Sequence, residues 1–444
     1  NQSNGILNGK LKMRKCGFRE ESAFLCAKMQ KQFAFHCIPH IKWTGEKKRK
    51  EKAMQTALYI HIPFCVRKCA YCDFLSGPAS AEEQERYLTS LIEELRLTGC
   101  SLQERYTEKI EVTSIFIGGG TPSLPDAIWI KKILDMVREQ FALLPDAEIT
   151  MEMNPGTVTA EKIAIYRKAG INRLSIGLQS TDNAELKQLG RIHTWETFLH
   201  TWDMVRAAGF QNVNIDLMSA LPGQTVDSWK RTLEQVIALQ PEHISAYSLI
   251  IEEGTPFYER YGEDVEEQSE YPPLPGEDAD RQMYALTGRI LAENGYHRYE
   301  ISNYAKPGYA CRHNLRYWQG GNYLGFGIGA ASLWEQTRYS NTSDRERYEQ
   351  ILKQEKNLDA LREDVEHLTV QAQMEEFMFL GLRCMNGIET KQFEERFGQK
   401  IEEVYGEVLK RLQEEKVLVW KDGRIALTEY GIDVSNAVLA EFLL

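Results

Sequence analysis

Between residues 56 and 294 the chain alternates six times between a short β-branched run and a longer helix-like stretch, and this rhythm limits the fold more than any other feature. The expected strands are Thr56–Ile62, Val112–Ile117, Glu148–Met153, Asn172–Leu178, Asn212–Met218 and His243–Ile250. The helical stretches lie near 82–97, 125–140, 159–169, 182–208, 225–239 and 278–294. Nearly continuous apolar strands separated by helices describe a parallel sheet covered by helices. Six units are too few for a closed eight-fold barrel, so the expected fold is α/β, an open partial (β/α)6 barrel. With 444 residues, 43% of them hydrophobic and 26% charged, the chain has material for two or three domains.

The unusual residues fall at the ends of these strands. Cys65-Val66-Arg67-Lys68-Cys69-Ala70-Tyr71-Cys72 follows the first, and Gly118-Gly119-Gly120-Thr121-Pro122 follows the second. Glu152 and Asn154-Pro155 close the third, Gln179-Ser180 the fourth, and Asp216 stands near the end of the fifth. In parallel α/β barrels the chemistry gathers where strands end, so these motifs point to one mouth. The spacing C-x3-C-x2-C sets three soft thiolate donors on one loop. Zinc would call for a fourth ligand from a distal pair, and no matching spacing exists. An iron–sulfur cube on three cysteines leaves one iron open to a small molecule. The other cysteines are scattered without framework spacing, as in a reducing compartment.

These motifs resemble the radical S-adenosylmethionine (SAM) superfamily. Tyr59-Ile60-His61-Ile62-Pro63-Phe64-Cys65, Gly177-Leu178-Gln179-Ser180, Asn214-Ile215-Asp216-Leu217 and Leu221-Pro222-Gly223-Gln224 narrow the resemblance to the HemN/HemW branch. That branch comprises oxygen-independent coproporphyrinogen III oxidases and HemW-type heme chaperones, and the similarity runs from about Thr56 to the C-terminus. The resemblance implies that Cys65, Cys69 and Cys72 hold a 4Fe–4S cluster whose open iron is chelated by SAM. An electron from the cluster then cleaves the sulfonium to give a 5′-deoxyadenosyl radical. It further implies that Tyr59 and Tyr71 flank the cofactor and that Gly119, Gly120 and Thr121 line its methionine end. Glu152, Gln179, Arg191 and Asp216 complete the polar grip. Taken singly, Glu152 reads equally as a strand-end acid, Arg191 as a solvated helix residue and the glycines as a turn.

Two features separate the branches. The oxidases resemble C-x3-C-x2-C-x-C, whereas Cys72-Asp73-Phe74 places phenylalanine where the fourth cysteine would stand. Cys311-Arg312-His313-Asn314-Leu315-Arg316-Tyr317-Trp318 contains the H-N-x-x-Y-W motif associated with heme in HemW-type proteins. The resemblance thus implies a heme chaperone, with heme as cargo, a heme acceptor protein as partner and a flavodoxin or ferredoxin as electron donor. No catalytic residue is assigned, and the oxidase is the alternative. His313 is the expected iron ligand, ahead of Cys311; its plain alternative is a hydrogen-bonded core histidine. The glycine-dense run Gly320–Gly329 is not a nucleotide loop and reads as close backbone packing.

Three domains are expected: 1–53 a poorly ordered basic extension, 54–345 the barrel, and 346–444 a mostly helical, winged-helix-like domain. The last rests on helices at Met374–Leu382 and Ile401–Glu415 followed by the pair Val417–Trp420 and Arg424–Leu427. Residues 1–53 carry 13 basic and 4 acidic side chains, a net of +9, leaving −20 on the rest of a chain whose formal charge is −11. An acidic body argues against nucleic acid as a partner, including an RNA-modifying role. From residue 345 onward, 14 basic and 21 acidic side chains argue against DNA for the C-terminal unit as well. His36-Cys37-Ile38-Pro39-His40 is too sparse for a zinc site, and Met54 reads as an alternative start of the working unit. No apolar run suits a transmembrane or secretory segment. The expected location is therefore the cytoplasm, peripheral at the membrane when heme is delivered. The acidic stretch 259–281 reads as a solvated loop near the mouth, with a lid as its functional alternative.

Overall fold

In the computed structural model, which describes residues 54–262 and 271–444, the six expected strands stand side by side in sequence order. They are β1 (Gln55–Ile62), β2 (Glu111–Gly119), β3 (Ala142–Met153), β4 (Arg173–Gln179), β5 (Val213–Ser219) and β6 (His243–Ser248), each parallel to the next. The basic extension, with its expected disorder and its His/Cys cluster, lies outside the described residues, as does the middle of the acidic stretch.

The intervening helices start where local chemistry favours them. Ser80 and Glu83 form a capping box at the head of helix 81–105, and Thr225 and Ser228 do the same for helix 226–238. Asp126, Thr159 and Thr194 cap helices 127–140, 160–169 and 195–207 with their side chains. Leu88, Leu91 and Leu95 of the first helix and Ile130, Ile133, Leu134 and Val137 of the second pack in one core with Leu58, Ile60, Ile115 and Ile117 from the strands. Each such side chain contributes roughly 1.5–3 kcal/mol when fully buried. The stretch expected to be one helix over 182–208 is two, 183–188 and 195–207. The loop between them carries Arg191 toward the site described below.

The sheet does not stop at six strands. Beyond β6 lie β7 (His297–Glu300) and β8 (Asn303–Ala305), both antiparallel additions. On the other side β9 (Tyr323–Phe326) runs parallel to β1, and β10 (Ala331–Trp334), β11 (Thr337–Asn341) and β12 (Arg362–His367) continue antiparallel. The order β12-β11-β10-β9-β1-β2-β3-β4-β5-β6-β8-β7 is an open, twelve-stranded sheet. The glycine-dense run forms the β9 crossing. A Cβ on Gly325 would stand 2.3 Å from the Ala331 carbonyl oxygen, so close backbone approach is its role.

The C-terminal unit has its own core, from Met374 to Phe442. Helices 370–381, 390–397 and 401–414 accompany a three-stranded sheet in which β15 (Arg424–Leu427) lies between β13 (Ile388–Glu389) and β14 (Leu418–Lys421). This is the winged-helix-like arrangement expected. Its beginning is later than residue 346, however. Tyr348, Ile351, Leu352 and Leu361 pack in the first core and β12 closes the large sheet, so the division falls near residue 368. No described helix is long and apolar enough to cross a membrane.

Candidate functional site

The carboxyl ends of the parallel strands surround a cavity of about 530 Å³ that opens beside the cysteine loop. The loop is pinned at several points. Cys65 N–H donates to the Gly77 carbonyl at 2.9 Å, and Gly77 N–H donates to Pro63 at 2.9 Å. Ala70 N–H reaches Leu189 at 3.1 Å, and the Ala70 carbonyl accepts from Phe257 N–H at 2.9 Å. All three thiols line the cavity. Cys65 Sγ lies 3.5 Å from Thr121 Oγ1, and Arg191 Nη1 lies 3.7 Å from Cys69 Sγ. Among the described residues no three His, Cys, Asp or Glu side chains converge on a point suited to a single metal ion. Three soft thiolate donors on one loop are the donor set that an iron–sulfur centre takes.

The glycine turn after β2 closes in behind the loop. Gly119 has φ +114°, and a Cβ there would meet the His61 ring at 2.6 Å. A Cβ on Gly120 would meet the Phe64 backbone within 3.0 Å. Only glycine allows the turn to lie this close to the cysteine loop.

Facing the turn are two half-buried acids, Glu152 and Asp216. Glu152 Oε2 accepts the Gly119 N–H at 3.1 Å. Its burial and the neighbouring Asp216 carboxylate push its carboxyl up to about 8. Asp216 accepts from Asn214 Nδ2 at 2.7 Å and from Ser175 Oγ at 3.1 Å, yet burial also raises its carboxyl above the usual range. Two carboxyls kept reluctant to ionise will favour a cationic group placed between them. Arg191 donates through Nη2 to Asn154 Oδ1 at 2.7 Å and to the Gly177 carbonyl at 2.5 Å, which holds a fixed positive charge beside Cys69. Gln179, at φ +75° where the β4–β5 register slips, accepts from Tyr247 OH at 3.3 Å.

Of the residues expected at a cofactor, Tyr71, Gly119, Gly120, Glu152, Gln179, Arg191 and Asp216 share the cavity with the cysteines. Tyr59 and Thr121 stand behind its wall. Tyr59 OH bonds His61 Nδ1 at 3.0 Å, and Thr121 Oγ1 accepts from Asn154 Nδ2 at 2.8 Å while touching Cys65. Neither lines the cavity directly, and Thr121 meets it through Cys65.

His313 lies inside the barrel wall and away from the cavity lining. It is 1% exposed, its Nδ1 is 3.0 Å from Ser114 Oγ, and its Nε2 is 2.9 Å from Tyr317 OH. Burial and the nearby Arg173 charge push the imidazole down to about 3, so it is neutral with both nitrogens engaged. Cys311 is equally enclosed, its thiol against Glu148 Oε1 at 3.4 Å. The motif helix, 312–318, enters the floor of the barrel. Glu148 caps it by accepting the N–H groups of Arg312 at 3.0 Å and His313 at 3.1 Å. Asn314 alone of the motif lines the cavity, and Trp318 lies under the Arg383 guanidinium, 4.5 Å from carbon to ring centroid.

Sequence reasoning missed Arg173, Ser175, Asn214, Ser245 and Asn314, all of which line the cavity. A signal existed for the strand residues. Arg173, Ser175, Gly177 and Gln179 recur every second position on β4, as do Asn214 and Asp216 on β5, within otherwise apolar strands. Alternating side chains share one face, so such a polar row lines an interior.

Comparison with known proteins agrees with this geometry. The family model described as Radical SAM superfamily matches residues 59–236, and that of the HemN C-terminal domain matches residues 368–434. The heme chaperone HemW of Lactococcus lactis is 37% identical over 386 residues, 87% of this chain and 97% of that protein. HemW of Bacillus subtilis is 35% identical over 386 residues, 87% of this chain and 98% of its own. The solved structure of coproporphyrinogen III oxidase (HemN) from Escherichia coli superposes with a TM-score of 0.75 over 88% of this chain and 90% of that one. At 23% identity it establishes the shared fold. Thiols, glycine turn and acid pair on a parallel half-barrel, together with relatives matched nearly end to end, place this chain in the HemW family of the radical SAM superfamily.

Proposed function

We propose that this protein is a heme chaperone that binds heme and passes it to an acceptor protein, with a 4Fe–4S cluster on Cys65, Cys69 and Cys72 and exchangeable SAM beside it. The observation that carries the choice over a coproporphyrinogen oxidase is Phe74. It lines the cavity mouth and is 60% exposed, at the place where the oxidase pattern has a fourth cysteine. A phenyl ring supplies neither a proton nor a ligand, but it does supply apolar surface to a macrocycle. The end-to-end match to HemW proteins supports the same reading.

Within this reading Glu152 and Asp216 hold the cationic end of SAM, Arg191 its carboxylate, and Gly119 and Gly120 let backbone approach the ligand. When bound, the cluster supplies the electron that cleaves a sulfonium; the chain's own groups orient the ligand and shield it from water. Residues 54–367 form the cofactor-binding unit and 368–444 an accessory unit that meets partners. A flavodoxin or ferredoxin is the electron donor, and the protein works in the cytoplasm, meeting the membrane only through a membrane-bound acceptor.

The test is anaerobic incubation of cluster-loaded protein with coproporphyrinogen III, SAM and reductant, alongside a heme titration. Stoichiometric heme binding without decarboxylation is expected. Decarboxylation without heme binding would replace the reading with the oxidase.

A further inference from the structure

The polar row of β4 begins with a cation whose donors are almost unused. Arg173 opens the strand, and four residues, about 13 Å, separate its Cα from that of Gly177 beside Arg191. It is 2% exposed and lines the deep part of the cavity. Among the described residues its guanidinium makes one hydrogen bond, a long one of 3.5 Å from Nη1 to Thr150 Oγ1, and Nε makes none. Burial opposes the charge, but Cys311, Glu148, Tyr299 and Asp216 around it more than offset this. Buried donors are nearly always paired, and a buried cation left short of partners is costly.

The neighbouring carboxylates bond other groups. Glu148 gives Oε1 to the Cys311 thiol and the His313 N–H, and Oε2 to the Arg312 N–H. Asp216 gives Oδ1 to Asn214 and Oδ2 to Ser175. A second unpaired group stands on the same cavity wall. Asn303 on β8 donates through Nδ2 to Glu300 Oε1 at 2.6 Å, while its Oδ1 is buried without a partner. Asn303 and Asn314 both line the cavity, and Asn314 belongs to the motif helix 312–318. The deep end thus offers a guanidinium fork, the Asn314 amide and one free acceptor. A fork of this kind fits a carboxylate, and the Asn303 oxygen takes a hydroxyl or a hydrating water that enters with the anion.

We propose that Arg173, Asn303 and Asn314 form an anion site at the deep end of the barrel, which takes the carboxylate of a ligand sharing the cavity with SAM. The inference rests on the reading that SAM fills the part nearer the cysteine loop. Two sources present the same chemistry to the guanidinium, a propionate of heme and a small free carboxylic acid. The site is coupled to the SAM grip by charge. A cationic ligand on Glu152 and Asp216 neutralises acids close to Arg173 and leaves its charge in excess, so the carboxylate binds more tightly once SAM is in place. By linkage, the carboxylate tightens SAM to the same degree.

The experiment uses the full chain with reconstituted cluster, with and without SAM. Melting temperature is measured in sodium propionate against sodium chloride at equal ionic strength, and affinity for heme against heme dimethyl ester by absorbance titration. Propionate should raise the melting temperature of the unaltered protein, more so with SAM bound. Arg173→Met should abolish that rise while melting no lower in chloride, because it removes a buried charge that lacks partners. Should that variant fail to fold, Asn314→Asp decides. It keeps the guanidinium and sets a carboxylate on the same wall, so the rise should vanish there too. Heme binding about tenfold or more tighter than its ester, with the difference lost in Arg173→Met, identifies a heme propionate as the ligand. Equal binding of heme and ester beside a propionate effect identifies a small free acid. Absence of both effects, or their persistence in both variants, would overturn the site. A propionate effect that needs Arg173 but ignores SAM would keep the site and overturn the placement of SAM. No heme binding by the unaltered protein would overturn the chaperone reading alone, since the propionate arm is read without heme.

Discussion

Replacing Glu152 with glutamine tests the electrostatic account of the cavity most directly. In the folded protein its carboxyl titrates at about 8 against an ordinary 4.5, because it is buried and faces Asp216. The groups around it come from four strands: the Gly119 N–H on β2 and the Arg173 cation on β4 favour ionisation, while Asp216 on β5 and burial oppose it, and Tyr59 on β1 stands nearby. A carboxyl whose proton is held more tightly in the folded than in the unfolded chain stabilises the fold fully below pH 4.5. That contribution is lost as the pH rises through about 8. At about 1.4 kcal/mol per tenfold change in proton affinity, the loss amounts to roughly 4–5 kcal/mol. Glu152→Gln cannot ionise, so in the ligand-free protein it should flatten much of the decline in melting temperature between pH 5 and 8. Asp216, shifted in the same direction, keeps a residual slope. A cationic ligand reverses the balance by favouring the carboxylate. SAM binding near pH 7 should therefore release a proton, seen as a buffer-dependent enthalpy in titration calorimetry, and the release should fall in the variant. Parallel melting curves for both proteins, with no proton released on binding, would refute the argument.

Cys65→Ala, Cys69→Ala and Cys72→Ala should each abolish the iron–sulfur absorption, whereas Cys100→Ala and Cys384→Ala should leave it, since those two thiols lie away from the cavity lining; iron and sulfide analysis checks this. Asp216→Ala should weaken SAM binding roughly 10- to 150-fold with the cluster retained, the cost of about 1.5–3 kcal/mol for a lost charged partner. His313→Ala should lower stability by about 2–4 kcal/mol, because it opens a hole and strands the Ser114 and Tyr317 hydroxyls, and denaturant unfolding reads this. Phe74→Cys alone should yield no decarboxylase activity, since a porphyrinogen site requires a whole shaped pocket.

The strand–helix rhythm made the six parallel strands legible, because fully buried strands are written as apolar runs and their caps as Ser, Thr and Asp. The cysteine loop and glycine turn were legible because their spacing is local. What escaped depends on three-dimensional neighbours. Strand β9 has only four residues and pairs with β1 across some 260 positions, so no window of sequence announces it. The unit boundary is hidden as well, because Tyr348 and Leu352 look like any amphipathic helix, and only packing assigns them to the first core. The surroundings of His313 are hidden for a related reason. A histidine beside Tyr and Trp reads as a ligand, whereas Ser114, which occupies its Nδ1, lies 199 residues away.

The insertion of β9 beside β1 has a consequence for how the protein is made. The strand leading into the cysteine loop is paired on one side by β2, available early, and on the other by residues 323–326, available only when most of the chain exists. Until then β1 is a sheet edge with unpaired backbone groups, a poor base for an oxygen-sensitive metal centre. Synthesis proceeds at about 5–20 residues per second, so the interval is tens of seconds. Cluster delivery thus belongs to a nearly completed polypeptide, and a chain truncated before residue 323 should contain all three thiols yet lack a settled seat for iron.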